Sequence, residues 1–305
     1  MELGSYSGVT APVMDSVPKA EKEWETFGTS TFTGGVSDSL YSAFTYVYED
    51  NYAGINTSAK KSWFFFDDEV VCLGSGINSS SKFPVNTTVN QSLLQTEILI
   101  SEGGKVKKLG NKEYVLGNKL NWVLQGGIGY IFPEGGKVSV SGKEQKGSWR
   151  KISEVQKDIM EKKNVFSLWL NHGMQPKQAT YAYIVVPDVQ TAQDMDRYDA
   201  DNIKILANNG SVQVVQNKKL DMWQMVFFEP TTFSYEGTTI KVDSPCAIIL
   251  KKKNTQLVMH VADPGRKQTK INVEITDHSR KAKKVVCDFS STGVYAGKSQ
   301  SFIIK

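Results

Sequence analysis

Hydrophobic and polar residues alternate along most of this chain in short segments of roughly four to eight residues. Glycine, asparagine, aspartate or proline separates the segments, which include SLLQTEILI, KVSVSG, TYAYIVVP, SVQVVQN and CAIILKK. A period of two places successive side chains on opposite faces of a strand, so each segment predicts a β-strand. Many short strands at near-regular spacing predict an all-β protein built from stacked antiparallel sheets.

Two segments carry a helical signal instead. The first is Val36–Tyr48, for which the pattern predicts a distorted helix. The second is Ser153–Lys163 (SEVQKDIMEKK), in which Ser153 is a suitable N-cap and Gln156 follows it as in a capping box. A charged loop between strands is the alternative for this second segment.

The rhythm of strands is interrupted between Pro187 and Asn202 by the polar, acidic sequence PDVQTAQDMDRYDADN. A stretch of this kind between strand-rich regions is typical of a domain boundary. We therefore predict a large β-domain over residues 1–190 and a smaller, also all-β, domain over residues 200–305.

Composition indicates a globular chain, since 40% of its 305 residues are hydrophobic and 22% are charged. No segment approaches the roughly 20 apolar residues of a membrane-spanning helix. The first residues show no secretory signal. A net charge of +4 would suit an acidic polymer as a partner, although solubility alone also explains it. Nothing in the pattern indicates nucleic-acid binding.

The three cysteines, Cys72, Cys246 and Cys287, are far apart and lack the spacing of metal ligands. Cys72 and Cys246 fall in apolar strands, so we predict buried free thiols. One disulfide is the alternative.

The most distinctive segment extends from Lys60 to Gln91. An aromatic run, Trp63–Phe66, leads into the three carboxylates Asp67–Glu69, and the apolar Val70–Leu73 follows. This order predicts two strands joined by an acidic tight turn with solvated charges, and then a polar strand over Val85–Gln91.

The blocks WFFFDDE and TTVNQ in this segment resemble the central β-domain of the polysaccharide lyases of family eight. Other blocks agree and follow in the family's order, namely GVTAP at 8–12, TFTGGVSDSL at 31–40, NHG at 171–173 and YAYIVVP at 181–187. The resemblance implies a large galactose-mutarotase-like super-sandwich followed by a small C-terminal β-sandwich. It also implies an acidic polysaccharide (chondroitin, hyaluronan or xanthan) as partner, and an extracellular or periplasmic location.

The family's catalytic residues lie on an N-terminal α/α-toroid, for which the chain has no room before Gly8. We therefore expect the non-catalytic half of a lyase, with the missing toroid as a second partner. None of the family's catalytic motifs matches a segment here, so we predict no catalytic residue. The histidines are His172, His260 and His278, and no arginine lies near His172 in sequence.

The polar strand after the acidic turn supplies candidate substrate-binding residues. Alternation predicts that Asn86, Thr88 and Asn90 share one face, and amides both donate to and accept from sugar hydroxyls. With Trp24 or Trp122 as a stacking platform, this face predicts a carbohydrate-binding surface. A polar sheet face or an inter-sheet hydrogen-bond network is the structural alternative.

Asn171 and His172 follow an apolar strand and precede Gly173. We predict that His172 lies where this strand ends, with Asn171 as a hydrogen-bonding neighbour in a substrate cleft. The alternative is an imidazole that holds the turn by bonding backbone carbonyls.

No metal or other cofactor is expected. A structural calcium ion is an alternative elsewhere, and its candidate ligands are Asp194, Asp196, Asp199 and Asp201. The consecutive carboxylates of Asp67–Glu69 suit a metal less well, because neighbouring side chains point in different directions.

Three functions are compatible with these patterns. The first is the β-domain part of a lyase that degrades acidic polysaccharide by β-elimination, with a binding and supporting role and no activity alone. The second is a free-standing carbohydrate-binding module. The third is a mutarotase-like sugar epimerase. That reaction would need an acid–base pair, and His172 would have to be one of its two members.

Overall fold

The computed structural model describes residues 6–14, 16, 18, 28–151, 153, 155–253, 256–276, 282–290 and 292–304. The strands of the first half are β1 (Thr10–Pro12), β2 (Thr33–Ser37), β3 (Ser42–Asp50), β4 (Thr57–Phe65), β5 (Val70–Ser79), β6 (Pro84–Leu93), β7 (Ile98–Glu102), β8 (Lys105–Leu109), β9 (Glu113–Val115), β10 (Leu120–Gln125), β11 (Ile128–Ile131), β12 (Val138–Gly147) and β13 (Glu161–Met174).

The strands of the second half are β14 (Ala179–Pro187), β15 (Ile203–Asn208), β16 (Val212–Asn217), β17 (Met222–Phe227), β18 (Thr231–Tyr235), β19 (Thr238–Val242), β20 (Cys246–Lys253), β21 (Gln256–Ala262), β22 (Lys270–Thr276), β23 (Ala282–Asp288) and β24 (Gln300–Ile304). One short α-helix, α1 (Ala192–Arg197), and 3₁₀ turns at Tyr52–Gly54, Trp149–Lys151 and Ala200–Asn202 complete the elements. No helix among the described residues is long and apolar enough to cross a membrane. The all-β prediction is confirmed.

The chain divides into two compact units that interleave in sequence. The first unit comprises residues 1–27, 50–58 and 77–198, and the second comprises residues 28–49, 59–76 and 199–305. The predicted domains, residues 1–190 and 200–305, are continuous stretches of sequence, and that division stays a prediction.

The first unit is a two-layer sandwich. One layer is a five-stranded sheet in the order β1-β6-β13-β12-β9, and the other contains the run β14-β11-β10-β7-β8. The rings of Tyr130 (β11) and Phe166 (β13) meet between the layers at 6.2 Å. At Gly142 of β12, a Cβ would lie only 2.7 Å from Cδ1 of Ile98, so the missing side chain lets the layers approach closely. Burial of these apolar residues holds the layers together.

The second unit contains a six-stranded sheet, β15-β16-β17-β20-β21-β24, and a four-stranded sheet, β18-β19-β22-β23. Both contribute to one hydrophobic core, whose most buried members include Val214, Met225, Phe227, Ile248 and Ile271. This unit also contains the strand run β2-β3-β4 with the first residues of β5. The three cysteines are buried free thiols, as predicted.

The predicted helix over Val36–Tyr48 is wrong. The segment forms β2 and β3, which pair from Thr33 with Tyr46 to Ser37 with Ser42. The turn between them is closed by Asp38, whose carboxylate accepts hydrogen bonds from the backbone N–H groups of residues 40 and 41. A turn-forming aspartate and β-branched and aromatic neighbours outweighed the weak helical spacing.

The predicted helix over Ser153–Lys163 is also wrong. Ser153 and residues 155–160 lie in a loop, and β13 begins at Glu161. Strands β12 and β13 pair without a shift in register, from Val138 opposite Leu170 to Gly147 opposite Glu161. The long hairpin of β12 and β13 therefore takes the end of this segment into a strand, and the charged-loop alternative describes the rest.

Candidate carbohydrate-binding site

The strands β6 and β13 bring several predicted residues onto one surface. Thr88 lies opposite Trp169, and Asn86 lies opposite Asn171. Residues directly opposite in an antiparallel pair share a face. Because the neighbouring Leu168 is fully buried in the core, this face points away from the core. We call it the polar face, and its members are Asn86, Thr88, Gln91, Ser139, Ser141, Ser167, Trp169 and Asn171.

An indole and two amides form the centre of the polar face. With the amide oxygen of Asn86 facing the indole, it accepts a hydrogen bond from Nε1 of Trp169 at 3.2 Å. The amide nitrogen of Asn86 then donates to the carbonyl of Val85, also at 3.2 Å. Asn171 accepts a hydrogen bond from the backbone N–H of Gly173 at 2.7 Å, which fixes its amide plane. The ring and both amides are thus held in defined orientations and are partly exposed. The other members Thr88, Ser139, Ser141 and Ser167 are at most 5% exposed.

Two polar atoms of the same face lack hydrogen-bond partners. The hydroxyl of Ser141 and the amide nitrogen of Gln91 are both buried, and neither bonds to any residue that the structure describes. A buried donor without a partner costs about 1–3 kcal/mol. Unpaired buried amide atoms also occur at Gln125, Gln213 and Gln224, so they are not specific to the polar face.

The prediction that Asn90 shares this face is wrong. The register shifts by one residue at Val89, so Asn90 lies opposite Leu168 and points into the sandwich. Its amide nitrogen donates to the hydroxyl of Tyr130 at 2.6 Å. Burial raises the pKa of Tyr130 to about 12, so this phenol stays neutral. Asn90 thus takes part in the inter-sheet network that was the structural alternative.

His172 also lies on the inner side, at a β-bulge of β13. Its Nε2 is 2.8 Å from Oγ1 of Thr87, which is in turn 2.8 Å from Oγ1 of Thr10. The imidazole centroid is 6.2 Å from that of Tyr181 in the opposite layer. Because β13 continues to Met174, the predicted strand end at His172 is wrong, and the imidazole is engaged by a hydroxyl of the neighbouring strand.

Of the two predicted stacking platforms, the structure describes only Trp122, which is not on the polar face. Trp24 lies outside the described residues, and Trp122 of β10 is only 5% exposed within the other layer. Trp169 occupies the platform position, and the sequence interpretation missed it. The signal was the spacing of Trp169 and Asn171, because residues two apart on a strand share a face.

The acidic turn is present, and one of its three carboxylates is not solvated as predicted. Asp67 and Asp68 are exposed, but Glu69 is only 5% exposed. Its carboxylate accepts a hydrogen bond from Nδ2 of Asn217 at 3.0 Å within the second unit. Glu69 therefore belongs to the internal structure of that unit.

Two of the four candidate calcium ligands cap short helices. Asp194 accepts hydrogen bonds from the backbone and hydroxyl of Thr191 and pairs with Arg197, and these bonds lower its carboxyl pKa. Asp199 accepts from the backbone N–H of Asp201 at 3.1 Å. Nowhere in the described ranges do three or more His, Cys, Asp or Glu side chains form a group that could hold a metal. Calcium at these aspartates stays a prediction.

The members of the polar face offer hydrogen-bonding groups and an aromatic ring, but no charge. Its amides and hydroxyls donate and accept, and its indole presents an apolar ring surface. Eliminating a uronate proton would also need a base and a cation or donors at the carboxylate. The described arginines bond to groups away from the polar face. Arg150 donates to the carbonyl of Gln156, Arg197 pairs with the carboxylate of Asp194, and Arg266 donates to the carbonyl of Gly293.

Comparison with known proteins adds two family matches. A family model described as the super-sandwich domain of polysaccharide lyase family 8 matches residues 5–199. A second, described as the C-terminal β-sandwich domain of the same family, matches residues 204–272. Together they confirm the predicted fold of a super-sandwich followed by a β-sandwich.

Individual relatives agree. The chain is 38% identical over 269 residues to the chondroitinase-AC of Pedobacter heparinus, covering 88% of this chain and 38% of the relative. It is 34% identical over 196 residues to the xanthan lyase of Bacillus sp. strain GL1, covering 60% of this chain and 21% of that one. A solved chondroitinase AC lyase, studied with bound oligosaccharides, superimposes with a TM-score of 0.90 at 34% identity and covers 99% of this chain and 44% of its own. The chain thus spans less than half the length of these relatives.

Proposed function

We propose that this chain, which belongs to polysaccharide lyase family 8, binds acidic polysaccharide of the chondroitin or hyaluronan type through the polar face. The observation that supports this most is the arrangement of Trp169, which lies two residues from Asn171 on β13 and donates its indole N–H to Asn86 on the neighbouring strand. An oriented indole flanked by amides matches the alternating apolar and hydroxyl surfaces of a sugar ring.

In this proposal the chain contributes binding and structural support to a lyase, and cleavage by β-elimination requires groups that it does not supply. The polar face has neither a general base nor a cation, and both are needed to remove a proton beside a uronate carboxylate. We therefore assign the chemistry to an additional helical toroid domain. We also propose an extracellular or periplasmic location, because long polysaccharides do not enter the cytoplasm intact.

The binding proposal is tested by calorimetric titration of the chain with chondroitin sulfate oligosaccharides. We expect measurable binding, and we expect Trp169→Ala to weaken it about tenfold, since loss of an aromatic contact costs about 1.4 kcal/mol. Trp169→Phe keeps a ring but loses the N–H bond to Asn86, so we expect an intermediate loss.

Two controls make this test specific. Asn118→Ala removes an exposed amide elsewhere in the first unit and should leave the affinity unchanged. The ultraviolet absorbance of the same mixtures should show no unsaturated product. Absence of binding to any acidic glycan, or an unchanged affinity in Trp169→Ala, would overturn the binding role, and robust product formation would overturn the supporting role.

A further inference from the structure

Side chains of β3 alternate between the interior of the second unit and its surface. Ala43 and Thr45 are at most 1% exposed, whereas Phe44 is 41% exposed. Tyr46 and Tyr48 are partly exposed. Because residues two apart on a strand point the same way, these three rings share one outward face. They recur about every 7 Å along the strand, which suits an extended chain as a ligand.

Strand β4 adds two further rings to this face. Ser62 points inward, because its hydroxyl donates to Oγ1 of the buried Thr45 at 3.1 Å. The next residue, Trp63, therefore points outward, and its ring centroid lies 5.8 Å from that of Phe44. Phe65, two residues farther on, is 38% exposed. We use the name aromatic face for Phe44, Tyr46, Tyr48, Trp63 and Phe65.

Strand β2 borders the aromatic face with small and hydroxyl-bearing residues. Thr33 lies opposite Tyr46, and Gly35 lies opposite Phe44. Ser37 follows two residues later on the same side. Because glycine has no side chain, β2 leaves the adjoining edge of the Phe44 ring uncovered. The rings of the aromatic face thus lie next to hydroxyls and open backbone, which suits a hydroxyl-rich ligand.

One charged side chain, Lys61, is directed to the same side of β4 and is buried. It lies two residues before Trp63 and is only 4% exposed. Its Nζ is 6.0 Å from the centroid of the Trp63 ring. A ligand on the aromatic face would therefore meet rings and hydroxyls first, and salt should change its affinity little.

We propose that the aromatic face is a second polysaccharide-binding surface, which holds sugar rings by stacking and does not require their sulfate or carboxylate groups. The class of ligand rests on the proposed function, but binding here needs no contribution from the polar face. Aromatic rings present flat apolar surfaces to the C–H faces of sugars, and phenols both donate to and accept from sugar hydroxyls. The competing explanation is that a second copy of this chain covers the rings.

The test measures binding by calorimetric titration in chains that carry Trp169→Ala, so that the polar face contributes little. The ligands are a chondroitin sulfate tetrasaccharide and the same tetrasaccharide after desulfation and reduction of its carboxylates to alcohols. The test variant adds Phe44→Ala and Tyr46→Ala. The control adds Tyr235→Ala and Tyr295→Ala, which remove one partly exposed and one exposed ring elsewhere in the second unit.

We expect the Trp169→Ala chain to retain binding of both ligands, and we expect the test variant to weaken this remaining binding about tenfold for both. The control should change the affinity by less than about twofold, and added salt should leave binding of the neutral ligand unaffected. A further variant, Phe44→Tyr with Tyr46→Phe, keeps both rings and should keep the affinity. It separates loss of stacking from a disturbed fold.

Several results would overturn the aromatic face while leaving the polar face intact. They are no residual binding in the Trp169→Ala chain, unchanged binding in the test variant, and an equal loss in the control or in the ring-keeping variant. Sedimentation that shows self-association abolished by the test substitutions, with unchanged sugar affinity, would assign the rings to a second copy. If Trp169→Ala alone changes nothing while the test substitutions abolish binding, the polar face fails and the aromatic face stands.

Discussion

Amide side chains of β-strands have different surroundings in the two units. In the first unit, Asn86 and Asn171 are partly exposed on an outer sheet face. In the second unit, Gln213, Asn217 and Gln224 are at most 3% exposed. Both sets consist of amides on β-strands, so residue type alone does not tell a binding surface from internal structure. What distinguishes them is which groups lie opposite.

The buried amides of the second unit join sequence-distant strands. Gln213 donates to the hydroxyl of Ser75 at 3.1 Å, and Gln224 donates to the carbonyl of Phe65 at 3.0 Å. Asn217 donates to the carboxylate of Glu69. These contacts connect the β4–β5 hairpin with β16 and β17. In this unit the amide nitrogens join distant strands, whereas on the polar face Asn86 and Asn171 are partly exposed.

Among the buried polar groups of the second unit, we expect the largest effect on the free energy of unfolding from a substitution of Lys61. Burial lowers its pKa from 10.5 to about 8, so the unfolded chain binds more protons between those two pH values and stability rises with pH across that window. Below pH 8 both states are protonated, and the full cost of burying the charge is present. We expect Lys61→Met to stabilise the protein by about 3 kcal/mol at pH 7.

The measurement for Lys61 is urea unfolding at several pH values. The gain from Lys61→Met should shrink steadily as the pH rises from 8 to 10.5. Lys105→Met, at an exposed position, should show no such gain. A destabilised Lys61→Met, or a gain that does not depend on pH, would contradict the account.

Asn217 tests the hydrogen bonds among the buried polar groups. Replacing Asn217 with Ala removes a donor from a buried carboxylate, and we expect a loss of about 2 kcal/mol in the free energy of unfolding. In a double-mutant cycle with Glu69→Gln, the two changes should couple by about 1 kcal/mol. The exposed Asn118→Ala should cost less than about 0.5 kcal/mol. Equal losses at Asn217 and Asn118 would remove the distinction between the units.

Much of the fold could be predicted from the sequence because alternation is a local property. The acidic turn at Asp67–Glu69 and the strand before Pro187 appear where the pattern places them. The segment Val36–Tyr48 was misread because a weak 3.6-residue spacing competed with the turn-forming Asp38. Ser153–Lys163 was misread because a capping pattern does not reveal that the chain beyond it pairs with β12.

The candidate site could be predicted only in part. Asn86, Thr88 and Asn171 do meet on one face, but the bulge at Val89 turns Asn90 inward. A period of two does not foresee an extra residue, since bulges depend on the partner strand. Burial of Glu69 and exposure of Trp169 likewise depend on residues far away in sequence. Tertiary partners, which a single sequence does not display, decide these cases.

The central claim is that the amides of the polar face meet a polysaccharide while those of the second unit do not. Nuclear magnetic resonance of the chain, with side-chain amide and indole signals followed during addition of chondroitin sulfate oligosaccharides, tests it most directly. We expect shifts for the Trp169 indole and the Asn86 and Asn171 amides, with Gln213, Asn217 and Gln224 unchanged. Unmoved Trp169 and Asn171 signals at saturating ligand would contradict the claim.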